Sequence, residues 1–201
     1  MKRTAAIIFA ISLFVFVTIE PYGQTANRPM NDTLQQGKTK DPKEMYIHLR
    51  NLMLRGSRSK FSLAPTSKPT EPWGVVMDWG MQRGAATVVA MSDGSASVYL
   101  SSGGGYIGGK GQEPVRTAAQ EAVEMARSVK LPEQPTTDYP QPEEHGVFFY
   151  FLTDAGVFMI RTSEQELNSP RHPLRKLGDA MQGVITQYRL GNPSKSPGAK
   201  P

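Results

Sequence analysis

Hydrophobic positions along this chain change period several times, and each change marks an element. Residues 74–81 alternate, with Val75, Met77 and Trp79 on one side and Val76 and Asp78 on the other, the period-two pattern of a strand with one better-buried face. A turn at 82–84 leads to a second strand over 85–92. Asp93-Gly94 then predicts a type I′ hairpin into a third strand over 95–101, because both central positions of that turn need positive φ. Behind Pro114, the residues Val115, Ala118, Ala119, Ala122, Ala126 and Val129 recur at helical spacing, and the helix stops before Pro132. Its inward face is made of small residues, so it is expected to lie close to its sheet. Residues 145–152 are apolar on both faces, which predicts a central strand covered by helices on at least one side. After a turn at 153–156 a fifth strand runs over 157–161. Leu174, Leu177, Met181, Val184, Ile185 and Tyr188 trace a last helix that ends at Gly191, Asn192 and Pro193.

A shorter helix precedes the sheet. Asp41, Pro42 and Glu44 supply an N-cap, a first-turn proline and a capping-box acid, and Arg55 and Gly56 supply a basic last turn and a stop. Helices of this length are rarely stable alone in water, so this one is expected to dock on the domain. Residues 131–144, with four prolines, read as a linker that crosses the domain without pairing. The predicted class is α+β: a five-stranded antiparallel sheet in the order helix-βββ-helix-ββ-helix, layered as a two- or three-layer sandwich. The chain divides into a signal peptide or anchor at 1–24, a linker at 25–40, a docking helix and connector at 41–72, the α+β domain at 73–190 and a disordered basic tail at 191–201.

The first segment follows signal-peptide layout: Lys2 and Arg3 precede an uncharged stretch over 4–19. Sixteen residues rise only about 24 Å as a helix, short of a hydrocarbon core of roughly 30 Å, which favours cleavage over anchoring. The expected compartment is periplasmic or secreted. A retained inner-membrane anchor, or a cytoplasmic protein starting at Met30, are the alternatives. Membrane contact is expected only through this segment.

Charge narrows the partners. The net charge of +5 is carried by the flanks: residues 1–72 hold eleven Lys or Arg against five acids, and 73–190 hold ten against thirteen. A solvated basic flank accounts for the balance without a nucleic-acid-binding face. The aromatic run 148–151 lacks adjacent basic residues and reads as core rather than base-stacking platform. With no Cys there are no disulfides, thiolate metal sites or Cys nucleophiles. His48, His145 and His172 belong to separate elements, so neither metal nor cofactor is expected. Trp73 and Trp79, six residues apart on one strand face, are expected to cap the core. Asp78, within a strand, is expected to face solvent.

One stretch asks for a special explanation. SSGGGYIGGKG, residues 101–111, places six glycines between a strand and a helix. Gly103, Gly105 and Gly108 fit GxGxxG, and Gly104, Gly109 and Lys110 fit GxxxxGK. The first motif needs a parallel βαβ unit, and the second needs Ser or Thr where Gly111 stands. A looser reading survives: exposed amides at a helix N-terminus, with Lys110 and Arg116, attract a small anion. The candidate ligand residues are Ser101, Ser102, Gly103, Gly104, Gly105, Gly108, Gly109, Lys110 and Arg116. The competing explanation is a wide turn with positive φ and close strand-to-helix packing. A hydrolase using Ser101 or Ser102 with His145 and Asp154 or Asp78 lacks a GxSxG elbow.

The segments PWGVVMDWG, SSGGGYIGG, VFFYFLTDAGV and HPLRKLGDAMQGVITQYRL, spanning about residues 72–190, resemble a family of uncharacterised bacterial proteins. That resemblance implies no particular activity, and because its members lack an export signal it speaks for the Met30 start. The outline also resembles profilin-like and roadblock-like modules, although three strands rather than two precede the crossing helix. Together these features predict a non-enzymatic interaction module, exported or membrane-tethered, that meets a protein partner or forms a homodimer. The second expectation is a small-ligand or anion-binding domain using 101–111.

Overall fold

The computed structural model describes residues 41–191. The expected signal peptide or anchor at 1–24, the linker at 25–40 and the tail beyond Gly191 lie outside the described residues. Within them the elements run α1 (Pro42–Leu54), β1 (Gly74–Met81), β2 (Gly84–Met91), β3 (Ala96–Leu100), β4 (Gly105–Ile107), α2 (Glu113–Arg127), β5 (Gly146–Thr153), β6 (Gly156–Ser163), α3 (Glu164–Leu167) and α4 (Arg175–Gly191). All strands pair antiparallel in the order β4-β3-β2-β1-β5-β6.

The class is α+β with one antiparallel sheet, but the sheet has six strands rather than five, and the helix order gains α3. The extra strand comes out of the glycine segment. Gly103 and Gly104 sit at φ +99° and +82°, which reverses the chain so that Tyr106 pairs with Val98 and Ile107 with Ser97. Glycine is depleted in strands, so composition hid this one. The extra helix is announced by Ser163 and Glu166, whose side chains cap each other's backbone amides in a capping box.

Two cores lie on opposite faces of the sheet. Val75, Met77, Val88, Val98, Phe149 and Phe151 meet the small face of α2 and the apolar stripe of α4. Val76, Val89, Tyr99, Tyr150 and Leu152 meet Tyr46, Met53 and Leu54 of α1. The result is three layers, with α1 alone on its side. The Asp41 carboxylate accepts from the Lys43 amide at 3.0 Å and Pro42 opens the first turn, as the capping residues predict. β5 pairs between β1 and β6, and its residues enter both cores, Phe149 and Phe151 on one face and Tyr150 and Leu152 on the other, in keeping with its unbroken apolar run.

Three local expectations differ from the structure. The β2–β3 connection is not type I′: Gly94 alone has positive φ, at +83°. The Gly94 amide bonds the Met91 carbonyl and the Met91 amide bonds Ser95, a type I turn followed by a glycine bulge. Trp73 and Trp79 fall in different cores, because Trp73 precedes the strand and joins the α1 side with Val76. The proline linker does pair once, through a bridge from Thr136 to Val157.

Candidate functional site

The glycine segment is tied into the fold at most of the expected ligand groups. The Ser101 hydroxyl accepts from the Ala85 amide at 2.8 Å, and the Gly103 amide bonds Leu100 O at 2.9 Å. Gly104 O accepts from Leu100, and Gly105 pairs with Tyr99 in the ladder. Gly109 is buried against Tyr188 and Val115, where a Cβ would collide with both. The Tyr188 hydroxyl, pushed up to about 12 by burial, donates to Ala96 O at 2.7 Å. Lys110 Nζ reaches Asp93 at 2.8 Å. Burial raises that carboxyl, but the bonds from Lys110 and Ser95 outweigh it and leave it below its ordinary value. Arg116 pairs with Glu113 and packs its stem over Gly94. Ser102 and Gly108 are exposed. Both expected cations thus already face carboxylates of this chain.

The imagined hydrolytic constellation is dispersed. Ser101 lies beside Ala85 on β2, Ala85 pairs with Gly80 on β1, and Gly80 O accepts from His145 at the start of β5. Three strand spacings of about 4.8 Å put Ser101 roughly 14 Å from His145. Asp154 sits at the far end, in the β5–β6 turn. Among the described residues no group of three or more His, Cys, Asp or Glu could hold a metal ion.

Asp78 does not face solvent. It is fully buried on the α1 face, where the Arg50 Nε donates at 2.7 Å and Nη2 lies 2.5 Å away, and the Thr87 hydroxyl donates at 2.5 Å. Burial drives the carboxyl up, with Arg50 and Thr87 pulling against it. The remaining guanidinium hydrogens go to the carbonyls of Tyr139 and Pro140 at 3.0 and 2.9 Å and to the Tyr150 hydroxyl at 3.2 Å. Burial, then the Asp78 charge, lifts the Tyr46 phenol to about 12; its hydroxyl lies 3.0 Å from Thr87. The network joins α1, β1, β2 and β5 to the proline linker. A buried arginine on α1 at a strand carboxylate's height was the missing signal, and no sequence period reveals it.

A second polar cluster sits at the other margin. Glu164 accepts from the Trp79 indole and lies 3.0 Å from His145 Nδ1, while His145 holds a left-handed φ of +65°. The bond from Glu164 raises the His145 pKa.

The linker held by Arg50 forms one wall of a cleft of ≈ 680 Å³ on the α1 side. The other walls are the end of α1 with residues 55–59, residues 65–66, and the β5–β6 turn at 153–157; Trp73 and Tyr139 also line it. Volumes of about 300–1,000 Å³ are usual for small-molecule sites. The walls are cross-tied. The Thr136 amide donates to Val157 O at 2.7 Å, Arg58 Nε donates to Asp154 at 2.9 Å, and Arg58 Nη1 donates to Ala64 O at 2.7 Å. The Arg55 guanidinium lies 5.3 Å from the centre of the Tyr139 ring. None of the expected ligand residues of the glycine segment borders this cleft, although Asp154, considered above for a hydrolase, does. Ser, Thr, Arg and Pro make up much of its lining, gathered from residues 54–73, 135–139 and 153–157, and that composition reads as ordinary loop until the fold assembles it.

No family model, no curated protein and no solved structure matches the chain.

Proposed function

We propose that this chain is a non-enzymatic interaction module, exported or membrane-tethered through its N-terminal segment, that engages its partner in the cleft at the end of α1. One observation carries the reading: three regions distant in sequence, 54–73, 135–139 and 153–157, are cross-tied around an open cleft lined in part by arginine and hydroxyl side chains. Preorganised walls lower the ordering cost of binding. The separation of Ser101 from His145 supports recognition over acyl transfer, since a nucleophile and its base need hydrogen-bond reach. The alternative, a small-ligand-binding domain, is favoured by the same cleft, whose volume suits a small molecule.

Amide chemical-shift mapping of the full chain against a fragment library tests the site. Hits are expected to move residues 55–59, Thr136, Thr137 and Ala155. Shifts confined to 101–111 would return the contact to the glycine segment, and ester turnover lost on Ser102→Ala would overturn the non-enzymatic reading.

A further inference from the structure

The cleft lining carries two guanidiniums, Arg55 and Arg58, against one carboxylate, Asp154. The Arg55 guanidinium makes no hydrogen bond or ion pair among the described residues, and its aromatic contact with Tyr139 leaves the charge uncompensated. Asp154, the one carboxylate in the lining, is occupied by Arg58, whose Nη2 has no hydrogen bond of its own. Trp73 Nε1 is the one buried side-chain polar atom without a partner among the described residues, and Trp73 lines the same cleft. A buried indole N–H ordinarily finds an acceptor. Two guanidiniums, from the end of α1 and the connector, therefore share one missing complement, an oxygen-rich anion, and the buried Trp73 indole beside them reports on occupancy of the cleft.

We propose that the cleft recognises the anionic head of a small molecule, a phosphate monoester or a carboxylate, with Arg55 as the uncompensated charge and Nη2 of the Asp154-paired Arg58 as a second donor. This rests on the small-ligand reading of the cleft. Planar guanidinium groups offer two parallel N–H bonds to either head, which an ammonium cannot do. Glucose 6-phosphate and glucuronate present the two heads on one sugar frame, and glucose presents the frame alone.

The test is calorimetric titration of the full chain with glucose 6-phosphate, glucuronate, glucose and inorganic phosphate. In parallel the Trp73 indole N–H resonance is followed, assigned against Trp79→Phe. Binding of one or both charged sugars, none of glucose, and a moving Trp73 signal are expected; the arm that binds identifies the head. Arg55→Ala should weaken binding at least about tenfold, with Arg55→Lys intermediate, as for a charge-assisted bond lost from an exposed side chain. Glucose binding as tightly as its charged relatives, with cleft amides shifting, would overturn the anion inference and leave the cleft as the site. Absence of any binding, or binding unchanged by Arg55→Ala, overturns the proposal. Binding of inorganic phosphate that leaves the Trp73 signal still also counts against it, because the anion then sits elsewhere.

Discussion

Replacing Arg50 by Met removes the centre of the α1 face while keeping most of the side chain's bulk. Asp78, fully buried, loses two N–H contacts at 2.5 and 2.7 Å and keeps only the Thr87 hydroxyl. The carbonyls of Tyr139 and Pro140 lose their donors from the same group. Breaking one side of a buried ion pair costs about 3–5 kcal/mol, because the remaining charge is left uncompensated. Each kcal/mol shifts the midpoint of a domain this size by roughly 2–4 °C, so thermal unfolding should move down by about 6–20 °C. The effect depends on pH. In the variant burial holds the Asp78 carboxyl above its unfolded value, so the penalty is full at neutral pH and is relieved as pH falls through the folded pKa. Urea unfolding at pH 7.5 and pH 5 measures both. Asp78→Asn in the Arg50→Met background should recover part of the loss by removing the stranded charge. A single-variant cost below about 1 kcal/mol, or a penalty that grows toward pH 5, would refute this account of the network.

Three further outcomes follow from the packing. Gly80→Ala places a methyl group against the Glu143 carbonyl, so it should destabilise by about 1–3 kcal/mol and speed amide exchange at 143–146, where the linker enters β5. Ala122→Leu, on the fully buried small face of α2, should cost a similar amount by overpacking; unfolding measurements showing no loss would mean that α2 stands off the sheet. His145 gains its proton affinity from Glu164, so its contribution to stability is complete below about pH 6.5, the unfolded value, and is lost as pH rises through the folded pKa. An NMR titration should place the His145 midpoint above the ordinary imidazole value, and Glu164→Gln should bring it down.

What the sequence revealed of the fold was whatever repeats at short range. The alternation over Val75 to Trp79, the helical stripe of α4 and the Asp41-Pro42 start of α1 each report a local preference, and each element stands where its pattern put it. β4 was illegible because its pairing is licensed by the reversal at Gly103 and Gly104, and a strand of three residues leaves no period to detect. Asp78 was misread because one buried carboxylate looks like any polar position until its partner is known. That partner is 28 residues away on a helix whose docking angle no local rule supplies. The cleft was invisible for the same reason at larger scale: Arg55, Trp73, Thr136 and Asp154 become neighbours only through the sheet order and the linker's return. The glycine segment pulls in the opposite sense: its unusual local composition suggests a ligand, and the structure sets the chain's own Asp93 and Glu113 against the two cations, a pairing that composition does not show.

The claim on which the functional account turns is that contact is made at the end of α1 rather than at the glycine segment. A paired comparison of Arg55→Ala and Lys110→Ala in one calorimetric series, against the charged sugar that binds the parent chain, separates the two directly. Affinity lost in the first variant and kept in the second is the predicted result; affinity kept in the first and lost in the second would contradict it.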